Sequence, residues 1–178
     1  MTEHAPDDAL VAAIHEPIET LLEAEEGRWT LVMRRQFPHT PERLWAMLTE
    51  PERLALWSPI VPNRSLATVG PATSRENPGD APVDTEVLSV DAPRELVHRW
   101  RDDVLRWTIT PDRGGAIVEL RQSFADRALS PDYAAGWQVC LGRLAAEDGT
   151  PRERPTGRRA LAYGWQDLRD GYRSQLAD

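Results

Sequence analysis

Between Arg94 and Phe124 the chain reads RELVHRWRDDVLRWTITPDRGGAIVELRQSF, in which apolar side chains return at every second residue in three successive runs. A period of two marks strands with one buried face, and turns this short allow only antiparallel neighbours. The expected strands are Arg94–Arg101, Val104–Thr110 and Ala116–Phe124. Asp112-Arg113-Gly114-Gly115 joins the last two as a hairpin turn; no helix follows the glycines, as a phosphate cradle would need. Thr85–Val90 precedes them as a further strand, and Trp29–Phe37 (WTLVMRRQF) reads as the first.

Each strand can be divided into an inner and an outer stripe. The inner stripes are Leu31, Met33, Arg35 and Phe37; Leu96, His98 and Trp100; Leu105, Trp107 and Ile109; and Val118, Leu120, Gln122 and Phe124. Three of the four carry one polar residue, and a buried polar group left without a partner costs about 1–3 kcal/mol. Arg35, His98 and Gln122 therefore need partners, water or a ligand. Each has a plain structural reading as well: Arg35 reaching solvent at the sheet end, His98 as a satisfied core histidine, Gln122 capping a backbone group.

Two short helices interrupt the strand pattern. TPERLWAMLTEPERLALWSP, Thr40–Pro59, repeats "PERL" ten residues apart. Thr40 is placed to cap a helix with proline at its first position, where a missing N–H is free of cost. Pro51 cannot continue that helix, so a second one opens there and ends at Pro59, just after Trp57. Residues 63–82 are rich in turn-formers, with one strand expected near Ser65–Val69. Ser130-Pro131-Asp132 opens a long helix with Tyr133, Trp137, Cys140, Leu141 and Leu144 on one stripe. A last helix, 159–177, aligns Leu161, Trp165, Leu168, Tyr172 and Leu176. Gly136, Gly142, Gly164 and Gly171 in these helices suggest places of close approach.

Charge is distributed unevenly. Of the 29 acids, eight fall in residues 1–27, which hold no arginine; the remaining 21 match the chain's 21 arginines. No lysine occurs, which points to coding bias. Neither part offers the basic face that nucleic acid requires. Residues 1–27 read as an acidic helical leader, with Leu10, Ile14, Ile18 and Leu21/Leu22 at helical spacing, broken at Pro17 and stopped at Gly27. It either docks or dimerises, or packs on its own domain. No apolar run is long enough to span a membrane. A single cysteine and no visible secretory signal suit the cytoplasm.

The segments RRQFPHTPERLWAMLTEPERLALW, VDAPRELVHRW, LRWTITPDRGGAIVELRQSF, AAGWQVCLGRLAAEDG and TGRRALAYGWQDLRDGYRSQL resemble the SRPBCC (START-like) superfamily. Within it the likeness is to the branch named for activators of the heat-shock protein 90 ATPase, and the tail resembles that of many bacterial members. The likeness runs from about residue 29 to the end, giving an SRPBCC domain over 28–178 behind the leader. It implies an α+β helix-grip fold: a curved antiparallel sheet wrapped around a long C-terminal helix, with a cavity between.

The resemblance implies three roles. The first is a non-enzymatic module holding a small apolar or aromatic molecule between sheet and helix. The second is an interaction protein of the chaperone-activator kind, acting through exposed surface to which the acidic leader contributes. The third is a polyketide cyclase or aromatase using His98 or Arg35 to polarise a carbonyl. The candidate ligand-binding residues are Arg35, Trp57, His98, Trp100, Trp107, Gln122 and Trp137. His4, His15, His39 and His98 show no metal-ligand spacing, and no cofactor fingerprint is present, so neither metal nor cofactor is expected.

Overall fold

The computed structural model describes residues 5–177. Its elements are α1 (Asp8–His15), β1 (Glu19–Glu25), β2 (Arg28–Phe37), α2 (Pro41–Thr49), α3 (Pro51–Leu54), β3 (Val61–Pro62), β4 (Thr73–Arg75), β5 (Val83–Asp84), β6 (Val87–Asp91), β7 (Glu95–Trp100), β8 (Asp103–Asp112), β9 (Gly115–Phe124), α4 (Ser130–Ala145), α5 (Arg159–Ala162) and α6 (Trp165–Gln175). A six-stranded antiparallel sheet runs β1-β2-β9-β8-β7-β6, and β3-β4-β5 form a small second sheet. The fold is the α+β helix grip: α4 lies against the inner face of the large sheet, and nearly all of its residues from Ala134 to Leu144 are buried. None of the described helices is long and apolar enough to cross a membrane.

The proline punctuation behaves as physical chemistry requires. The Thr40 hydroxyl accepts from the Arg43 N–H at 3.2 Å, Pro41 occupies the first helical turn, and Glu50 closes α2 while opening α3 at Pro51. α3 ends at Leu54, earlier than Pro59, because Trp57 swings inward and donates its indole N–H to the Met47 carbonyl at 2.9 Å.

Residues 5–27 do not form the expected helical leader. Only Asp8–His15 is helical; residues 1–4 lie outside the described ones. Beyond Pro17 the chain pairs along Glu19–Glu25 with β2, through a two-residue turn in which Glu26 and Gly27 have φ of 36° and 81°. Two positive φ angles match the twist that a tight hairpin needs, and glycine supplies one without strain. A paired strand satisfies backbone groups that a short exposed helix after proline would leave open. The leader is therefore an integral edge of the sheet rather than a separate unit. Its α1 packs on α4 so closely that a Cβ at Gly142 would stand 2.5 Å from the Ile14 Cα.

Two further segments differ from expectation. No strand forms at Ser65–Val69, because the Arg64 guanidinium donates to the carbonyls of Ser65, Thr68, Gly70 and Pro71, doing for that loop what a partner strand would do. The last helix is divided at Gly164, whose φ of 85° no helix accommodates, with the preceding Tyr163 carbonyl accepting from His15 Nε2 at 2.8 Å. Between α4 and α5 a strap, 147–158, crosses the molecule. The buried Arg143 holds it through the Glu147 carboxylate at 2.6 Å and the Glu153 carbonyl at 3.0 Å. Arg154 then fastens it to the carbonyls of Ser58 and Glu76 at 2.9 and 2.6 Å.

Candidate functional site

Register places three of the polar and aromatic candidates on one patch of the inner face. His98 on β7 lies across from Leu105 on β8, which lies across from Gln122 on β9. Trp107 stands two residues along from Leu105 on the same face. His98 is buried and satisfied: Nδ1–H donates to the Arg99 carbonyl at 2.8 Å, and Nε2 accepts from the Trp107 indole at 3.1 Å. Burial pushes its pKa down to about 4, against the opposing pull of the Arg99 carbonyl. It is a neutral hydrogen-bond relay with no free nitrogen for acid–base work. Gln122 is satisfied likewise, accepting from the Trp137 indole at 2.7 Å and donating to Asp103 at 2.8 Å.

Indole rings fill the space that these groups face. Trp57, Trp107, Trp137 and Trp100 form a chain of edge-to-face contacts, with centroids 5.9, 5.4 and 5.6 Å apart in that order. Such geometry matches the ring quadrupoles and adds to area burial. Beside His98, between β8 and α4, the polar groups thus meet indoles and one another, and their partners are protein atoms. Arg35 does not join the group. Its Nη1 donates to the Ala13 carbonyl at 2.7 Å and its Nη2 to Glu16 at 2.9 Å, so it ties the end of α1 to β2. Burial lowers its pKa, with Glu16 opposing.

The open space begins where the tryptophan chain ends. A cavity of about 440 Å³ has Trp100 and Trp137 on one wall and Trp165 and Leu161 on the other, with Pro155–Arg158 of the strap at its rim. Gly136 of α4 forms part of its floor, and a Cβ there would meet nothing nearer than the Trp165 indole nitrogen at 4.0 Å. Cys140 also contributes to the wall; burial, helped by the Glu76 carboxylate, pushes its thiol up to about 12. Tyr133, at the edge, is likewise pushed up to about 12, chiefly by burial and by its contact with Asp103. Concave, mostly apolar and carrying a few polar groups, this is the form of a small-molecule site. Of the seven candidates the structure places Trp100 and Trp137 on this wall. Trp57, Trp107, His98 and Gln122 stand behind it as packing, and Arg35 stands elsewhere.

Sequence reasoning did not name Glu76, Tyr133, Cys140, Leu161 or Trp165 as site residues. The helical stripes did contain Tyr133, Cys140, Leu161 and Trp165, but helical period alone does not separate a residue facing a void from one facing a neighbour. Glu76 lies in the turn-rich segment and carried no signal.

Comparison with known proteins agrees with this architecture. The family model described as Activator of Hsp90 ATPase homolog 1-like protein matches residues 38–147. A conserved protein of unknown function from Enterococcus faecalis, EF2215, superposes with a TM-score of 0.70 at 15% identity, covering 95% of each chain. CalU16 from Micromonospora echinospora gives 0.64 at 14% identity, over 91% of this chain and 98% of that one. DynU16, from the dynemicin biosynthetic locus, gives 0.58 at 22% identity, over 68% of this chain and 46% of its own. At these identities the likeness is one of fold. No curated protein matches the sequence.

Proposed function

Because this chain belongs to the family of Activator of Hsp90 ATPase homolog 1-like proteins, we propose that it is a binding module for a small apolar or aromatic molecule, held in the cavity beside α4. One observation carries the reading: about 440 Å³ of open space walled by Trp100, Trp137, Trp165 and Leu161. Water held against such a surface gains few hydrogen bonds, so its displacement by an apolar body is favourable, at roughly 25 cal/mol per Å² covered. Leu161, at 57% exposure, is an apolar side chain left at the rim where an occupant would cover it.

The test uses N-phenyl-1-naphthylamine, a neutral probe whose emission rises in apolar surroundings. Emission is expected to rise saturably on titration with the protein. Gly136→Leu fills the floor of the cavity while improving helix propensity, so it is expected to abolish the rise and keep the fold. No rise with the unaltered protein, or an undiminished rise with the folded variant, would count against the cavity as the site.

A further inference from the structure

The geometry points to a second chamber of the same site that recognises an anionic group on the ligand, through Arg75 and Arg101. This rests on the apolar reading of the main cavity and gives the ligand a class: an apolar body carrying a carboxylate, sulfonate or phosphate at one end.

A smaller space of about 310 Å³ adjoins the main one and shares Pro59, Glu76 and Trp100 with it. Its far side is built by Arg75 on β4 and Arg101 in the β7–β8 turn, together with Asp80. Arg101 adopts a left-handed backbone, φ 57°, that lays its guanidinium over the Trp100 ring, 5.8 Å from the centroid. That guanidinium makes no hydrogen bond or ion pair among the described residues, and the Arg75 guanidinium has only the Pro78 carbonyl, at 3.3 Å. Elsewhere this chain commonly pairs its arginines: Arg35, Arg121, Arg143, Arg152, Arg159 and Arg169 all meet carboxylates.

The acids around the two chambers are already engaged, with one exception. Asp132 is bridged to Arg169, and Asp80 accepts the backbone and side-chain N–H groups of Asn77 at 2.9 and 3.1 Å. The Glu76 carboxylate, on the wall common to both spaces, has no hydrogen-bond or ion-pair partner among the described residues. Its charge repels an anion from the throat and places the anionic end beyond it, between the two guanidinia. Planar guanidinium groups donate paired N–H bonds to carboxylate and phosphate oxygens.

Two probes with almost the same apolar body separate this inference from the reading beneath it: 8-anilinonaphthalene-1-sulfonate and neutral N-phenyl-1-naphthylamine. The sulfonate probe is expected to bind more tightly. Arg75→Gln and Arg101→Asn, the latter chosen because asparagine tolerates the left-handed backbone, are each expected to weaken it by about tenfold and to leave the neutral probe unchanged. Both side chains are exposed, so the variants keep the fold. Displacement of the sulfonate probe by decanoate or by decyl phosphate, but not by decanol, supports the assignment and tells which anion is preferred. Equal binding of the two probes, unaffected by either substitution, overturns the anionic subsite while leaving the apolar cavity standing. Failure of both probes to bind overturns the cavity and the subsite together.

Discussion

Trp107 on β8 donates its indole N–H to Nε2 of His98 on the neighbouring β7 at 3.1 Å, diagonally across the pair, since His98 lies opposite Leu105 and Trp107 opposite Leu96. That bond requires His98 to be neutral, since a protonated ring would set two donors face to face. The His98 pKa falls from 6.5 when exposed to about 4 when folded. The unfolded chain therefore takes up the proton first, and the stabilisation, complete above about pH 6.5, is lost as pH falls towards 4. Its full size is on the order of 3 kcal/mol. Urea midpoints measured from pH 7 to pH 4 are expected to fall, and His98→Gln is expected to flatten that slope while lowering the midpoint at pH 7.

Two helical glycines offer opposite outcomes for the same substitution. Gly142→Ala sets a methyl 2.5 Å from the Ile14 Cα and 2.8 Å from its nitrogen, both backbone atoms. The cost is expected to be about 1–3 kcal/mol, outweighing the better helix propensity. Gly136→Ala meets nothing nearer than 4.0 Å and is expected to gain up to about 1 kcal/mol. Thermal unfolding of the pair reads the difference directly.

Arg35 anchors α1 by a carbonyl and a carboxylate. Arg35→Ala is expected to cost about 3 kcal/mol and to speed hydrogen exchange of the α1 amides ahead of those in β8. Glu16→Gln should cost less, since that side chain is 65% exposed and its charge is screened. A larger loss from Glu16→Gln than from Arg35→Ala contradicts this account.

Cys140 is the only thiol in the chain, so its chemistry reports on the cavity wall alone. With its pKa raised to about 12, the thiolate fraction should climb about tenfold per pH unit between 7 and 10 without levelling off. The alkylation rate with iodoacetamide is expected to follow that line, and N-phenyl-1-naphthylamine at saturation is expected to slow it. A plateau near pH 8–9 would indicate an ordinary exposed thiol.

Local patterns carried the strands and the paired helices. Alternation in Arg94–Phe124 and the prolines at 41 and 51 are written in neighbouring residues, and the structure follows them. Glu19–Glu25 was not legible in that way: Ile14, Ile18 and Leu22 keep helical spacing, and only pairing with β2, a non-local event, makes a strand of the segment. The site divides along the same line. Trp100 and Trp137 follow from inner stripes, whereas the opposite wall arrives from α5 and α6 after the strap has crossed the molecule. The period also marked His98 and Gln122 as inward, but whether an inward side chain meets a void or an indole depends on ring packing that no periodicity encodes.

The roof of the cavity is tied down by guanidinium groups gripping peptide oxygens: Arg154 on Ser58 and Glu76, Arg143 on Glu153. Neither end of such a fastening titrates in the physiological range, and an uncharged acceptor leaves little for added salt to screen. In a chain without lysine, acetylation cannot loosen these ties either. Those ties therefore persist through changes of acidity and salt that loosen the strap's ion pairs, such as those of Arg152 with Asp7 and Asp148.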